Sequence, residues 1–514
     1  MSKISPAELK SLQLLARLAY TNPFSHKRIE LEEQVLGDAF VTDDSVAWSR
    51  SFGQQVSERP NVSLVAELSS KLVGKINQCA AGGQVFTDAQ LNQYWDVVTY
   101  VLLYRHVVHL SPADVLKPSV SKKMWGNFLK DYEHFVSVKG LDRIEIQAAD
   151  HLFAILCQVH RAFSYIFYYI LGDSLPSVRL RESVWQSVFT NDLRRYRRVL
   201  FDRMSALPTL ITGPSGTGKE LAAQAIGASQ YISFDAARGC FPKEAADCFI
   251  PLNLSAMSPT LIESELFGHC KGAFTGAIAD REGWLGKCPS FGSVFLDEIG
   301  ELDLMLQVKL LRVVQQRTYT ALGDDRQQQF LGKIIGATNR DLDQEMAAGR
   351  FREDLYYRLC ADRIQTPSLR DQLQQNPNDL PALVRYVSRK LAGNDSDLLA
   401  DQSTEWIRKN LGDDYPWRGN IRELEHCVSS IMIRGSYIPT GTRKNTLDDQ
   451  PVSTEQPSWT RSAVAGDLTA DQLVQHYCHW IHQKTGSYEA TARKLGIDRR
   501  TVKAKIGLIE TDAH

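Results

Sequence analysis

The chain has 514 residues, 59 Lys and Arg against 60 Asp and Glu, and a hydrophobic share of 43 %. That length predicts about three or four domains with ample apolar material for buried cores, which excludes whole-chain disorder, collagen and acidic solvating tails. A formal net charge of −1 also argues against a chain that binds nucleic acid along its whole length, since such binders carry a basic excess.

Residues 1–180 are rich in helix formers with apolar positions at three-and-four spacing, as in Leu12, Leu15, Ala16 and Ala19. Tyr94–Leu110 and Asp150–Leu171 read as long helices with aromatic faces. Leu152–Leu171 is the most membrane-like stretch, but Gln158, His160 and Arg161 interrupt it. Polar groups at mid-span are expensive in lipid, so a buried helix is expected and no membrane partner. The opening MSKISPAELK lacks the apolar run of a secretory signal. Nine cysteines, none at C-x-x-C spacing, predict reduced thiols and a cytoplasmic location. Asp43-Asp44 follows no apolar strand, which rules out a phosphoacceptor reading. His106 and His109 form a helical pair, too few for a metal that needs three or four ligands. The region is therefore expected to be a helical regulatory domain.

From 181 to 368 short apolar runs alternate with helical stretches: Thr209–Thr212, Phe249–Leu254, Val294–Leu296 and Lys333–Ala337. Such alternation predicts a parallel sheet covered by helices. Residues 369–440 return to helix, 441–466 read as a polar linker, and 467–514 as a small helical unit.

The run Gly213, Pro214, Ser215, Gly216, Thr217, Gly218, Lys219 follows the first strand and precedes a helix. This is a phosphate loop in its required context, with backbone N–H groups for phosphate oxygens and Lys219 for the β/γ-phosphates. Glu220 stands where a Mg²⁺-touching hydroxyl is usual. The bland alternative is a glycine-rich turn before a helix. About 80 residues on, the strand Val294-Phe-Leu ends in Asp297 and Glu298, a pair suited to Mg²⁺ (Asp297, through water) and to the attacking water (Glu298). Together these predict an ATPase using ATP and Mg²⁺.

The run Glu265-Leu-Phe-Gly-His-Cys-Lys-Gly-Ala-Phe-Thr-Gly-Ala277 resembles the signature loop of bacterial enhancer-binding proteins, the NtrC-like activators of sigma-54 RNA polymerase. The likeness continues through Phe295–Leu302, Gly336–Leu342, Phe351–Leu359 and Trp417–Leu424, and covers about 205–435. It implies an α/β AAA+ P-loop ATPase (181–368) with a helical lid (369–440), working as a hexameric ring when active, with a dimer at rest as an alternative. By the same resemblance Asn253 holds Glu298, Asn339 is a sensor, and Arg352 and Arg358 are fingers reaching the neighbouring subunit's γ-phosphate. Arg422 is the lid arginine that senses nucleotide. Gly272, Ala273, Phe274, Thr275, Gly276 and Ala277 form the loop that touches sigma-54, with Phe274 expected as an exposed aromatic. Arg418 replaces the family's proline, predicting a less rigid turn, and Tyr231–Phe249 looks longer than the family norm.

At the end of the chain, Ser487–Leu495, a turn at Gly496–Asp498, and Arg499–Ile506 read as helix, turn, helix, with Val502 and Ile506 facing inward. Arg493, Lys494, Arg499, Arg500, Lys503 and Lys505 face only two acidic residues over 487–506. With Thr501 they form the expected DNA-contacting set of an all-α reader. It resembles the Fis-type helix-turn-helix of the same family, implying enhancer DNA as a partner. The whole is expected to be a sigma-54-dependent activator. An AAA+ replication initiator and a repressor with a vestigial ATPase are the alternatives.

Overall fold

The computed structural model describes residues 3–42, 60–242, 248–439 and 466–511, with 459 and 463. Asp43-Asp44 and nearly all of the expected linker 441–466 lie outside them. Residues Met1–Ile438 form one compact unit and Pro439–His514 a second.

The first unit begins with helices α1 (Pro6–Tyr20), α2 (His26–Leu36), α3 (Pro60–Ala81), α4 (Asp88–His106), α5 (Pro112–Val115), α6 (Pro118–Val136), α7 (Ala149–Tyr169) and α8 (Leu175–Phe189). Capping boxes start two of them: the Ser5 hydroxyl accepts from the Glu8 N–H, and Thr87 does the same for Gln90. The second explains why α4 starts six residues before the expected Tyr94. Helix α8 runs through the expected boundary at 180/181.

A short helix α9 (Leu193–Arg195) leads to strand β1 (Thr209–Thr212), and helix α10 (Lys219–Gly227) follows the phosphate loop. Then come β2 (Phe249–Asn253), α11 (Pro259–Phe267), β3 (Gly268–His269), β4 (Arg281–Glu282), α12 (Trp284–Lys287), β5 (Ser293–Asp297), α13 (Leu304–Gln316), β6 (Thr318–Tyr319), β7 (Gln328–Gln329) and β8 (Lys333–Thr338). Helices α14 (Leu342–Ala347) and α15 (Glu353–Leu359) precede β9 (Asp362–Gln365). Five strands form a parallel sheet in the order β2-β5-β8-β1-β9. Four of the five match the expected apolar runs. The fifth, β9, was not expected: its sequence Asp-Arg-Ile-Gln buries only Ile364, which suffices at a sheet edge. Pro251 lies in the other edge strand, where its missing N–H is tolerated.

Helices α16 (Leu369–Gln375), α17 (Asp379–Ala392), α18 (Ser396–Asn410) and α19 (Asn420–Arg434) pack around Leu383, Val384, Leu399, Ile407, Leu424 and Val428. This group is tied to the turn between α7 and α8. The Asp379 carboxylate accepts from the Asp173 and Ser174 N–H groups at 2.7 and 3.0 Å.

The N-terminal helices and the sheet share one core. Ile155, Ala162 and Ile166 of α7 and Val184, Trp185 and Phe189 of α8 cluster with Ala222, Ala223 and Ile226 of α10, and with Phe295 and Ile335 of the sheet. The polar residues that interrupt α7 serve the same junction. Gln158 donates to the Ser229 carbonyl at 2.8 Å and Arg161 to the Gln230 carbonyl at 2.7 Å. Among the described residues no helix is long and apolar enough to cross a membrane.

The segment after α10 goes further into the N-terminal region. Ile232, Phe234 and Phe241 belong to the core of helices α1–α7. The Phe234 ring lies 5.0 Å from Trp125 and 4.7 Å from Phe153. Truncation of a buried Phe costs about 3–5 kcal/mol. Phe234→Ala is therefore expected to lower the stability of α6 and α7 by that order in urea unfolding of the full chain, although it lies beyond the phosphate loop in sequence. An effect confined to residues 228–242 would contradict the shared core.

In the second unit, α20 (Ala470–Thr485), α21 (Tyr488–Leu495) and α22 (Arg499–Thr511) enclose Cys478, Ala492, Val502 and Ile506. Gly496 ends α21 in the left-handed conformation, and the Asp498 carboxylate accepts from the Arg500 N–H at 2.7 Å.

Candidate active site

The carboxyl ends of adjacent parallel strands gather the polar residues along one edge of the sheet, where α/β folds place their ligands. β1 delivers the phosphate loop, β2 delivers Asn253, β5 delivers Asp297 and Glu298, and β8 delivers Asn339. Asn253 and Asp297 are register partners.

A cleft of about 310 Å³ is lined by residues 215–221, by Asp297 and Glu298, and by Ile421 and Arg422 of α19. Tyr169, Ile170 and Leu180 from the N-terminal region and Tyr386 and Lys390 of α17 also line it. Sequence reasoning missed these contributors, because an apolar wall carries no local motif.

The loop itself is braced from two sides. The Thr217 hydroxyl meets that of Thr366 at 2.7 Å and donates to the Pro214 carbonyl at 2.8 Å. Asn420 donates to the Ser215 carbonyl at 2.8 Å, and the Ile421 N–H donates to the Gly216 carbonyl at 3.0 Å. Gly216 is required there: a Cβ would lie 2.3 Å from the Gly419 carbonyl oxygen. Arg422 donates to the Ser215 hydroxyl at 3.0 Å. The turn at Trp417-Arg-Gly-Asn, expected to be less rigid without a proline, is instead held by Asn420. Its N–H donates to the Trp417 carbonyl at 2.8 Å, and its side-chain oxygen accepts from the Leu369 N–H at 2.8 Å.

Lys219 is buried at the start of α10 and donates to the Gly213 and Pro214 carbonyls at 3.0 and 3.1 Å. Burial pushes its ammonium below the ordinary value, Glu298 and Asp297 pull it back up, and Arg422 adds to the depression. Lysine and both carboxylates therefore act on one another across the cleft. Glu298 adopts a left-handed backbone at φ 56°, rare for a non-glycine residue and typical of functional sites. Its carboxylate accepts from the Asn339 N–H at 3.2 Å. Asn253, expected to hold Glu298, instead accepts from the Ser255 N–H and hydroxyl at 3.1 and 2.8 Å.

Arg352 and Arg358 do not line this cleft. Arg352, the N-cap of α15, pairs with Asp354 in the helix's first turn at 2.6 Å, a half-exposed pair that is cheap to break. Arg358 is exposed. Both stand free of the chain's own nucleotide cleft, as a group acting on a neighbour must.

The run Gly272–Ala277 is the apex of the β3–β4 hairpin, closed by the Gly272 N–H donating to the Ala277 carbonyl at 2.9 Å. Phe274 is not the exposed aromatic that was expected. Its ring is half-buried edge-on against His269, 4.9 Å between centroids, and the Ser264 hydroxyl lies 2.7 Å from the His269 Nδ1. Thr275 and Gly276 are exposed, and the protruding apolar side chain is Ile278, 83 % exposed.

In the second unit Arg493, Lys494, Arg499, Arg500, Thr501 and Lys503 are exposed. Lys505 departs from that set: it is partly buried and pairs with Asp471 of α20 at 2.8 Å.

The donors fit a nucleoside triphosphate with its magnesium. The loop offers N–H groups and Lys219, and a phosphate-bound Mg²⁺ needs only one or two protein carboxylates, which Asp297 supplies. Charge-assisted hydrogen bonds contribute about 1.5–3 kcal/mol. Lys219→Met is thus expected to weaken ATP binding by about 10- to 150-fold in equilibrium titration, and Arg358→Ala to leave the affinity of a dilute monomer unchanged. Unaltered binding in Lys219→Met would remove the cleft from consideration.

A family model described as the sigma-54 interaction domain matches residues 187–365. The transcriptional regulatory protein ZraR of Klebsiella oxytoca is 37 % identical over 352 residues, covering 65 % of this chain and 73 % of that protein. ZraR of Salmonella typhimurium is also 37 % identical, over 299 residues, or 58 % of this chain, and the chain spans 62 % of that relative's length. A solved structure of NtrX from Brucella abortus in complex with ATP is similar at 23 % identity and a TM-score of 0.41, covering 71 % of this chain and 76 % of that one. The extent of the ZraR match, together with the domain match, decides the assignment: the chain belongs to the family of transcriptional regulators that carry a sigma-54 interaction domain.

Proposed function

We propose that this protein is a sigma-54-dependent transcription activator that hydrolyses ATP in a ring of its own subunits and uses the cycle to open the polymerase–promoter complex. The observation that carries the reading is the meeting of Lys219, Asp297, Glu298 and Arg422 on one cleft, on a chain whose β3–β4 hairpin presents the Gly272–Ala277 run.

Lys219 and the loop N–H groups hold the phosphates, and Arg422 closes on them from the lid. Asp297 holds the ion. Mg²⁺ bound with the nucleotide supplies neutralisation of charge on the β- and γ-phosphates. Glu298, fixed by the Asn339 N–H, orients the attacking water and takes its proton. Arg352 and Arg358 complete the neighbouring subunit's site, which makes turnover depend on assembly; a hexamer is the ring the family resemblance implies. Thr275 and Ile278 offer the hairpin's contact to sigma-54, with Phe274 shaping it from beneath. The region 1–180 acts as the regulatory part and 467–514 as the reader of enhancer DNA. Exposed Arg499, Arg500 and Lys503 face phosphates and base edges, whereas Lys505 braces the unit. A cytoplasmic location follows from this role.

Two separable losses test the reading. Glu298→Gln is expected to reduce ATP turnover by about 10²–10⁴-fold while binding persists. Thr275→Ala is expected to keep turnover and lose nucleotide-dependent binding to sigma-54. Normal sigma-54 binding by Thr275→Ala would sink the activator reading, and origin-DNA opening without sigma-54 would favour a replication initiator. For the reader, Arg499→Ala with Arg500→Ala should flatten the salt dependence of DNA binding by a log–log slope of about 1–2, and Lys505→Ala should leave that slope unchanged. An unchanged slope in the double variant would move DNA contact elsewhere.

A further inference from the structure

A second cavity, of about 380 Å³, lies among the N-terminal helices. It falls within the range of about 300–1,000 Å³ typical of small-molecule sites. Its wall is strongly aromatic, with Tyr100 and Tyr104 from α4, Phe163 and Tyr168 from α7, and Trp185 from α8. Phe163 is stacked on Phe24 and Phe167 at 5.2 and 5.4 Å and still lines the cavity, where its remaining surface offers apolar contact to another ring.

Three polar residues of the wall are buried, Arg28, His160 and Ser164, and Thr21, His109, Ser111 and the tyrosine hydroxyls are further polar groups. Arg28 brings a formal charge, but its Nε donates to Glu32 at 2.6 Å and its guanidinium to the Leu18 carbonyl at 3.0 Å. An anionic ligand would have to compete with a buried carboxylate for it. His160 is 7 % exposed, and its Nε2 donates to the Leu110 carbonyl at 2.7 Å. Burial pushes this imidazole down to about 4, so near pH 7 it is neutral and Nδ1 keeps a lone pair. One helical turn further on, Ser164 adds a buried hydroxyl to the same wall. His109 also lines the cavity and is exposed.

We propose that this cavity is a binding site for an uncharged aromatic small molecule bearing a hydroxyl, its ring against Phe163 and Trp185 and its hydroxyl at His160 and Ser164. The position gives such a ligand consequence. Val159, His160, Phe163 and Ser164 share one face of α7. Gln158 and Arg161, on another face, hold the carbonyls of Ser229 and Gln230 just beyond α10. Helix α7 therefore touches both the cavity and the end of the phosphate-loop helix.

The probe is 2-naphthol, titrated calorimetrically into the full chain near pH 7 without nucleotide, so that the result is independent of the ATPase reading. Saturable binding is expected, weakened at least about tenfold, or about 1.4 kcal/mol, by Ser164→Leu and by Ala19→Leu, which fill the cavity from different walls. 2-Naphthoate, the same ring with a carboxylate, is expected to bind at least about tenfold more weakly than 2-naphthol. That comparison uses the unaltered chain and holds whether or not either variant folds. Absence of saturable 2-naphthol binding, equal affinity in folded variants, or naphthoate binding as tight as naphthol would overturn the proposal.

Discussion

The close packing of α10 between the sheet and helices α7 and α8 is the constraint on which the rest depends. Four of its side chains, Ala222, Ala223, Ala225 and Ile226, are fully inaccessible, and three of them are no larger than a methyl group. Gly227 ends the helix where a Cβ would lie 2.3 Å from the Ser293 hydroxyl and 2.4 Å from the Phe249 ring. Small residues let the helix approach the sheet closely enough for Lys219, at its other end, to stand among the strand-end carboxylates. Close-packed interiors transmit displacement because they have little room to absorb it. A shift of α7 or α8 is therefore felt at the lysine.

This arrangement joins the first third of the chain to the nucleotide cleft. Residues 1–180 share a hydrophobic core with the phosphate-loop helix and enclose the aromatic ends of the segment that follows it. Tyr231 takes part through its hydroxyl, 2.9 Å from the His151 Nδ1, while the His151 Nε2 donates to the Arg197 carbonyl at 2.9 Å. Tyr169, Ile170 and Leu180 reach the nucleotide cleft itself. A change in the N-terminal helices needs no separate docking event to reach the cleft, because these helices already form part of its wall.

Much of the motor was legible in the sequence because its elements are local. Continuous apolar runs mark buried strands, and glycine spacing marks a loop that approaches other backbone closely. Asp297 and Glu298 stand out because they end an apolar strand about 80 residues after a phosphate loop. What was illegible depended on partners distant in sequence. Strand β9 has one buried residue and no periodic signal. Phe274 is a separate case: it looked exposed because its cover, His269, is only five residues away and is brought against it by the bend of the hairpin. Lys505 looked like the other basic residues until Asp471 was brought beside it. The unusual length of 231–249 was visible, whereas its place in the N-terminal core was not, since nothing in a run of aromatics names the helices they will meet.

The most direct test of this account is amide hydrogen exchange of the full chain with and without saturating ATP, in the slow-turnover Glu298→Gln form. A shared core predicts that nucleotide slows exchange in α7 and α8 along with the phosphate loop and α10, because these elements open together. Protection confined to the loop, α10 and the lid, with α7 and α8 exchanging at unchanged rates, would contradict it.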